Sequence, residues 1–492
     1  MSAQRPNILW ICTDQQRYDT LGCTGNPFVN TPHIDELARN GVLFEQAYCQ
    51  SPICTPSRAS FLTGRYPRAT RCRQNGQSIP ADEVLVTKLL ADSGYTCGLS
   101  GKLHLAPAYP WSEHTTEPRT DDGYSAFNWS HQSMPETPGN QYGQRLKSEN
   151  LTYQTPKLEN SERVLRGMPE ANHQSKWCAD RAIEFIESRA EPSDQPWFFS
   201  VNFFDPHPPF DPPIAYLQRY LDNLPDIPLP AYLPGELDEK PEIQRRSHQG
   251  DDKRERNFAW DRISAKEHRL IRAAYWAMVD LIDVQVGRMA EALKRSNQYE
   301  QTIIVFMSDH GEMLGDHGIY FKGAFFYEEL VRVPLIISWP GRLPAGGRSN
   351  ALTELIDIAP TLLEATGISP NPGLQGKSLM PLLMGETDAD MHRDSIYCEN
   401  YNASTKHHPE IVFGTMLRTD DCKIVRIHGD RVGELYNLRD DPGETRNLWD
   451  DSQYSALKAN MLARLTDRMA WTADPLPLRS RDGDSVNYLD MI

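Results

Sequence analysis

Three short runs along the chain are apolar at nearly every position: 7–13 (NILWICT), 196–204 (PWFFSVNFF) and 302–307 (TIIVFM). Runs of this length, bounded by proline or polar turns, predict strands buried on both faces, as in a parallel sheet. Further strands are predicted over 42–48 (VLFEQAY), 95–100 and 334–339 (PLIISW). Apolar spacing of three and four predicts helices over 31–41, 83–92, 175–189, 265–296 and 354–367. Thr31 reads as an N-cap with Pro32 in the first turn, and Gly41 and Gly94 read as stops. The 265–296 helix carries Leu270, Ala274, Met278, Leu281, Ile282, Met289 and Leu293 on one stripe, which predicts core packing. A shorter helical run starts at Ser57 and stops at Gly64. After about Met380 the pattern changes to short strands near 411–417, 422–428 and 434–437, then a helix over 453–469. That predicts a small antiparallel sheet and divides the chain into 1–380 and 381–492. Residues 106–166 are rich in Pro, Gly, Ser and Thr and read as a long irregular insertion, with Trp111, Tyr124 and Trp129 as apolar walls. Residues 224–241 are Pro-rich, and 244–256 read as a solvated charged stretch. No internal repeat is visible.

Length and composition agree with this layout. The 492 residues, 39% hydrophobic, suffice for one large α/β domain plus a smaller one. Lys and Arg total 51 against 67 Asp and Glu, a net charge of −16. So acidic a chain is a poor candidate for nucleic-acid or membrane binding, although a local basic cleft can still hold a small anion. The N-terminus has no apolar leader, and no window approaches the ~18 apolar residues of a membrane span. Nine scattered cysteines, with no C-x-x-C pair, suit a reducing compartment. The expectation is a cytoplasmic protein whose sequons at Asn128, Asn150 and Asn402 are unmodified. Homo-oligomerisation through exposed loops or the C-terminal tail stays open.

Charged residues gather at the ends of the predicted strands. Asp14 ends the first. Lys102 and His104 follow 95–100 in GKLH, on one side if the chain stays extended. His207 follows 196–204 in DPHPPF, and Asp309, His310 and Lys322 follow 302–307. In open α/β sheets the ligand crevice lies at the carboxyl ends of the strands. Asp14 there is a metal-ligand candidate, Asp309 and His310 can face it across the crevice, and Lys322 on the following loop can cap an anion. Singly, each also reads as a turn or surface residue. His33, Asp316 and His317 are expected to be structural. Cys54 lies in SPICTPSRASFLTGR, between Pro52 and Pro56 and near a helix N-terminus that favours an anion. Arg58 can turn its fork to the same place. A nucleophile beside an anion cradle is what hydrolysis of a sulfuryl or phosphoryl ester needs. On its own, Cys54 reads as a buried structural thiol.

The whole string tips the balance. Cys54-Thr55-Pro56-Ser57-Arg58 with Leu62-Thr63-Gly64-Arg65 resembles the C-x-P-S-R…L-T-G-R motif of the type I sulfatases, in the alkaline phosphatase superfamily. Gly101-Lys102-Leu103-His104 resembles the family's G-K-x-H element, and His207 its H-x-P-[FY] element. Asp309-His310 with Lys322 resembles its second ligand block, and the run 434–444 its C-terminal L-Y-[DN]-L…D-P-x-E element. The resemblance implies a large, mixed, mostly parallel sheet flanked by helices, with a smaller C-terminal α+β subdomain. It implies hydrolysis of a sulfate monoester by S–O cleavage, with Cys54 oxidised to formylglycine whose hydrate attacks sulfur. It further implies one divalent metal held by Asp14, Gln15, residue 54, Asp309 and His310. That metal is usually Ca²⁺, with His310 leaving room for Mn²⁺ or Mg²⁺. Arg58, Lys102 and Lys322 would balance charge, His104 or His207 protonate the leaving alcohol, and Asn75 approach the substrate. Many sulfatases carry two Asp residues where this chain has Asp14-Gln15, a version also found in choline sulfatases and phosphonate monoester hydrolases. The implied partners are a small-molecule sulfate ester and a formylglycine-generating or anaerobic sulfatase-maturating enzyme. Two rivals remain: a phosphonate monoester or phosphodiester hydrolase with the same nucleophile, and a non-catalytic binding protein with a relic site.

Overall fold

The computed structural model describes residues 5–132, 137–190, 195–250, 256–371, 373–401, 412–473, 478–479 and 485–486. Its strands in the main sheet are β1 (Asn7–Thr13), β2 (Gly41–Phe44), β3 (Thr96–Gly101), β4 (Tyr124–Trp129), β5 (Trp197–Asn202), β6 (Thr302–Ser308), β7 (Leu335–Ser338) and β8 (Gly347–Ser349). Across the sheet they run β4-β3-β5-β1-β6-β7-β2-β8. Among them β7 alone opposes its neighbours, and every other pairing is parallel. The most apolar runs thus became the central strands, with Trp10 of β1 between Ser200 and Val305. Alternation sends Ile8, Trp10 and Cys12 into one core and Leu9 and Ile11 into the other.

Helices cover both faces. They include α1 (Pro32–Arg39), α2 (Cys54–Thr63), α3 (Val86–Asp92), α4 (Gln141–Ser148), α5 (Gln174–Glu187), α6 (Ala265–Arg295), α7 (Ile358–Thr366) and α8 (Ser455–Trp471). One face packs on α1, α5 and α6; the other packs on α2, α3 and α7. A second sheet of β9 (Ile396–Tyr401), β10 (Phe413–Arg418), β11 (Cys422–Ile427) and β12 (Gly433–Asn437) is antiparallel throughout. Tyr397, Leu417, Ile424 and Leu435 pack with Met461 and Leu465 of α8. Ile396, Cys398, Met416 and Val425 turn the other way and join the core beneath Trp10. Lys423, fully buried, bridges Glu328 at 2.8 Å and Glu444 at 2.7 Å across the seam.

Several elements differ from the sequence reading. Helix α2 begins at Cys54 rather than Ser57. Pro56 falls at its third position, where a backbone N–H has no helical partner to lose. The supposedly irregular 106–166 stretch contains β4 and α4, short elements whose half-exposed faces leave little apolar signal. The predicted 42–48 strand breaks at Glu45-Gln46, and Ala47–Tyr48 pairs separately with Thr353–Glu354. Part of the charged stretch is a helix over Glu242–Gln249, and β9 was not foreseen. Thr31 makes no side-chain cap; Asp283 of α6 instead accepts from His33 and Ile34 N–H at 3.0 and 2.7 Å. The Asn402 sequon, residue 411 of a predicted strand, and residues 251–255 of the charged stretch lie outside the described residues. All nine cysteines are unpaired thiols. Among the described residues no helix is long and apolar enough to cross a membrane.

Candidate active site

The carboxyl ends of β1, β3, β5 and β6 open on one crevice, and the first turn of α2 closes it. Asp14 follows β1, Lys102 follows β3, and Asp309 and His310 follow β6. Asp14, Cys54, Asp309 and His310 each offer one ligand atom within 4.8 Å of the others, all buried. Cys54 Sγ lies 3.6 Å from Asp14 Oδ1 and 3.2 Å from His310 Nε2. Lys322 Nζ donates to the same sulfur at 2.8 Å and stands 3.3 Å from His310 Nε2.

Two cations pair with the carboxylates. Lys102 Nζ pairs with Asp14 Oδ2. Arg58 Nε donates to Asp309 Oδ2 at 2.8 Å, and its Nη1 donates to the Lys102 carbonyl at 2.9 Å. Its Nη2 is buried and has no partner among the described residues. Asp309 Oδ1 accepts from the Gln15 and His310 N–H groups, both at 3.0 Å. Ser57 Oγ donates to the Asp309 carbonyl at 2.5 Å, tying α2 to the end of β6.

These neighbours set the proton affinities. Burial alone would raise the Asp14 carboxyl, but Lys102, His207 and Lys322 hold it well below the usual range. Burial and Asp14 oppose ionisation of Cys54; Lys102, Lys322 and His310 outweigh them and lower the thiol. Burial disfavours the charged imidazole of His310, yet Asp309 raises it overall. His104 and His207 go the other way: burial, then Lys102 beside one and Lys322 beside the other, push both well below the ordinary range.

The remaining candidates sit around this centre. Asn75 Oδ1 accepts the Thr55 N–H at 3.0 Å, so an exposed side chain caps the turn that carries Cys54. His207 Nδ1 is 2.6 Å from the Pro208 carbonyl, with its ring against Phe204. Lys102 and His104 do not share one side of an extended chain as expected. Gly101 and His104 both have positive φ, 95° and 59°, and the strand turns sharply there. Lys102 reaches Asp14, while the His104 ring meets His131 edge-on at 4.6 Å. Asp316 and His317 order their loop: Asp316 pairs with Arg17 and Arg272, and His317 with Glu236.

Four residues around the site escaped the sequence reading. Glu117 accepts backbone N–H groups from His104, Leu105 and Ala106 and so holds that turn. His131 follows β4, in the stretch read as irregular. Tyr275 donates its hydroxyl to the Gln15 carbonyl at 2.6 Å from the long helix α6. Glu312 lies three residues after Asp309, and its Oε2 accepts from Gln15 Nε2. Only Glu312 had a local signal, its closeness in the chain to Asp309 and His310.

Comparison with known proteins agrees with this geometry. The sulfatase family model matches residues 6–368, and the model for the C-terminal part of N-sulphoglucosamine sulphohydrolase matches 315–470. An arylsulfatase of Clostridium perfringens (strain 13 / Type A) is 31% identical over 463 residues, 92% of this chain and 91% of that protein. A choline-sulfatase of Rhizobium meliloti (strain 1021) is 30% identical, covering 99% of this chain and 91% of its own length. Among solved structures, a phosphonate monoester hydrolase from Silicibacter pomeroyi superposes with a TM-score of 0.82 at 25% identity, covering 98% of this chain and all of that one. The chain belongs to the sulfatase family, and hydrolysis of a sulfate ester is its reaction.

The family implies a divalent metal and a formylglycine made from one residue. The residues here fit both. Two buried carboxylates, an imidazole and the residue-54 side chain converge, and Gln15, next in the chain to Asp14, has a buried Oε1 with no partner among the described residues.

Proposed function

We propose that the chain hydrolyses a small-molecule sulfate monoester, with Cys54, matured to formylglycine, as the source of the nucleophilic oxygen. The observation that carries this is the convergence on Cys54 Sγ of Asp14, His310 and Lys322, at 3.6, 3.2 and 2.8 Å. Asp14, Asp309, His310, the residue-54 oxygen and Gln15 Oε1 would hold one divalent metal, with Ca²⁺ best matched to the oxygen ligands and Mn²⁺ or Mg²⁺ open through His310. When bound, the metal supplies Lewis-acid polarisation of a sulfuryl oxygen and favours an ionised nucleophile.

The other residues prepare the sulfuryl group. Lys322, bonded to residue 54, and Lys102, paired with Asp14, offset the charge that the transferring group carries. Arg58 fixes Asp309 through Nε and leaves Nη2 free for a sulfuryl oxygen. His104 and His207 rest neutral; the anionic substrate raises their proton affinity, so either can give a proton to the departing alcohol. Asn75 keeps the first turn of α2, and hence residue 54, in place. We assign catalysis to 1–380 and closure of the core behind it to 381–492. Unpaired thiols throughout suit the cytoplasm.

Peptide mass spectrometry across Cys54, after co-expression with a formylglycine-generating enzyme, tests the nucleophile. Loss of the thiol mass with gain of an aldehyde is expected; an unmodified thiol in active protein refutes it. The structural likeness to a phosphonate monoester hydrolase supports a second reading, an aryl phosphonate monoester in the same cradle. Matched aryl sulfate and aryl phosphonate esters decide between them: higher kcat/KM on the sulfate is expected.

A further inference from the structure

Gln15 is held in an unusual way. Its backbone lies in the left-handed region at φ 67°, which a residue with a side chain adopts only when its surroundings require it. Its N–H is fixed on Asp309 and its carbonyl on Tyr275. Its Nε2 donates to Glu312 Oε2, and its Oε1, on a residue 1% exposed, is buried with no partner among the described residues. Buried amide oxygens are seldom left unpaired unless a ligand completes them.

Glu312 determines which end of that amide is free. It is fully buried, and its Oε1 accepts backbone N–H groups from Leu314, at 2.9 Å, and from Phe321. That leaves Oε2 for Gln15, and a carboxylate oxygen there can only accept. The NH₂ end of Gln15 must therefore face Glu312, and the oxygen must be the end left over. We propose that Glu312 is a positioning residue that presents Gln15 Oε1 as a neutral oxygen ligand to the divalent metal. This rests on the metal reading above and adds to it what makes an amide at position 15 serviceable.

Glu312→Gln and the exchange Gln15→Glu with Glu312→Gln separate the possibilities. In Glu312→Gln, Leu314 and Phe321 keep the amide oxygen, so the new NH₂ group meets the NH₂ group of Gln15. Gln15 must then rotate and turn its NH₂ toward the metal. In the exchange, the amide placed at position 312 donates to the carboxylate placed at position 15, whose second oxygen is again free. Ca²⁺ and Mn²⁺ would be titrated into chelator-stripped protein, read by competition with a chromophoric chelator and by the metal-induced shift in Tm. Wild type should bind; if it binds neither ion, the metal reading itself falls. Glu312→Gln should bind about 10–100-fold more weakly, the usual effect of losing a residue that orients a ligand. The exchange should recover wild-type affinity or better. Undiminished affinity in Glu312→Gln, or an exchange no tighter than Glu312→Gln, overturns the proposal.

Discussion

At the scale of single residues, two imidazoles, His104 and His207, are the candidates for the proton donor of the proposed mechanism. His104 and His207 are both neutral at rest, so the reacting alcohol distinguishes them. Removing the proton donor should cost about 10²–10⁴ in kcat on a sulfate ester with a poor leaving group, and far less on 4-nitrophenyl sulfate, which leaves unprotonated. Kinetics of His104→Ala and His207→Ala on that pair of substrates names the donor: only its variant shows the leaving-group-dependent loss. Much of the centre was legible because it sits at chain punctuation. Asp14, Lys102 and Asp309 each follow an apolar run, and Cys54 lies between two prolines. What was not legible depends on contacts between distant segments. Nothing near Tyr275 marks it as a neighbour of Gln15, and Glu117 is tied to its turn only through backbone N–H groups. His104 shows the limit of alternation as a guide, since one positive-φ turn at Gly101 redirects the chain.

At the scale of elements, the loop between β6 and β7 delivers both Lys322 and the buried charges that anchor it. His317 stacks on Tyr327 at 3.8 Å and meets Glu236 at 3.2 Å. Burial works against its charged form, but Glu236 and Glu329 outweigh it and raise the ring to about 9. The folded state therefore holds this proton more tightly than the unfolded chain, where the value is about 6.5. The resulting stability is full below pH ~6.5 and disappears as pH rises through about 9, an effect on the order of 3 kcal/mol. Thermal unfolding from pH 6 to 10 should show wild type falling toward His317→Gln at the alkaline end; a constant gap would refute the assignment. Lys423 is a second anchor. Replacing it with Met leaves Glu328 and Glu444 buried without their cation and should cost about 3–5 kcal/mol in denaturant unfolding. The central strands were plain from their unbroken apolar runs. Helix α2 was misplaced by three residues because Pro56 reads as a barrier, although a first turn accepts it. Strand β4 was missed because an edge strand, paired on one side, is only half buried.

At the scale of the whole molecule, the site joins segments far apart in the chain. Asp14 and Cys54 come from its first eighth, and Asp309, His310 and Lys322 from beyond its middle. The antiparallel sheet completes the same core from the far end. The buried position of Cys54 then has a consequence in time. Its thiol is 1% exposed, held by His310 and Lys322. Strand β6, which brings these partners, leaves the ribosome about 250 residues after Cys54, roughly 10–50 s later at common synthesis rates. If Cys54 is matured as proposed, its thiol is open to modification during that interval, and afterwards it is walled in. Purified, folded, unmodified protein should therefore resist conversion, whereas an unfolded chain or a peptide spanning Ser51–Arg65 should accept it; equal conversion of both would sink this expectation. Slow emergence of the second half of the sheet becomes a licence period for the first.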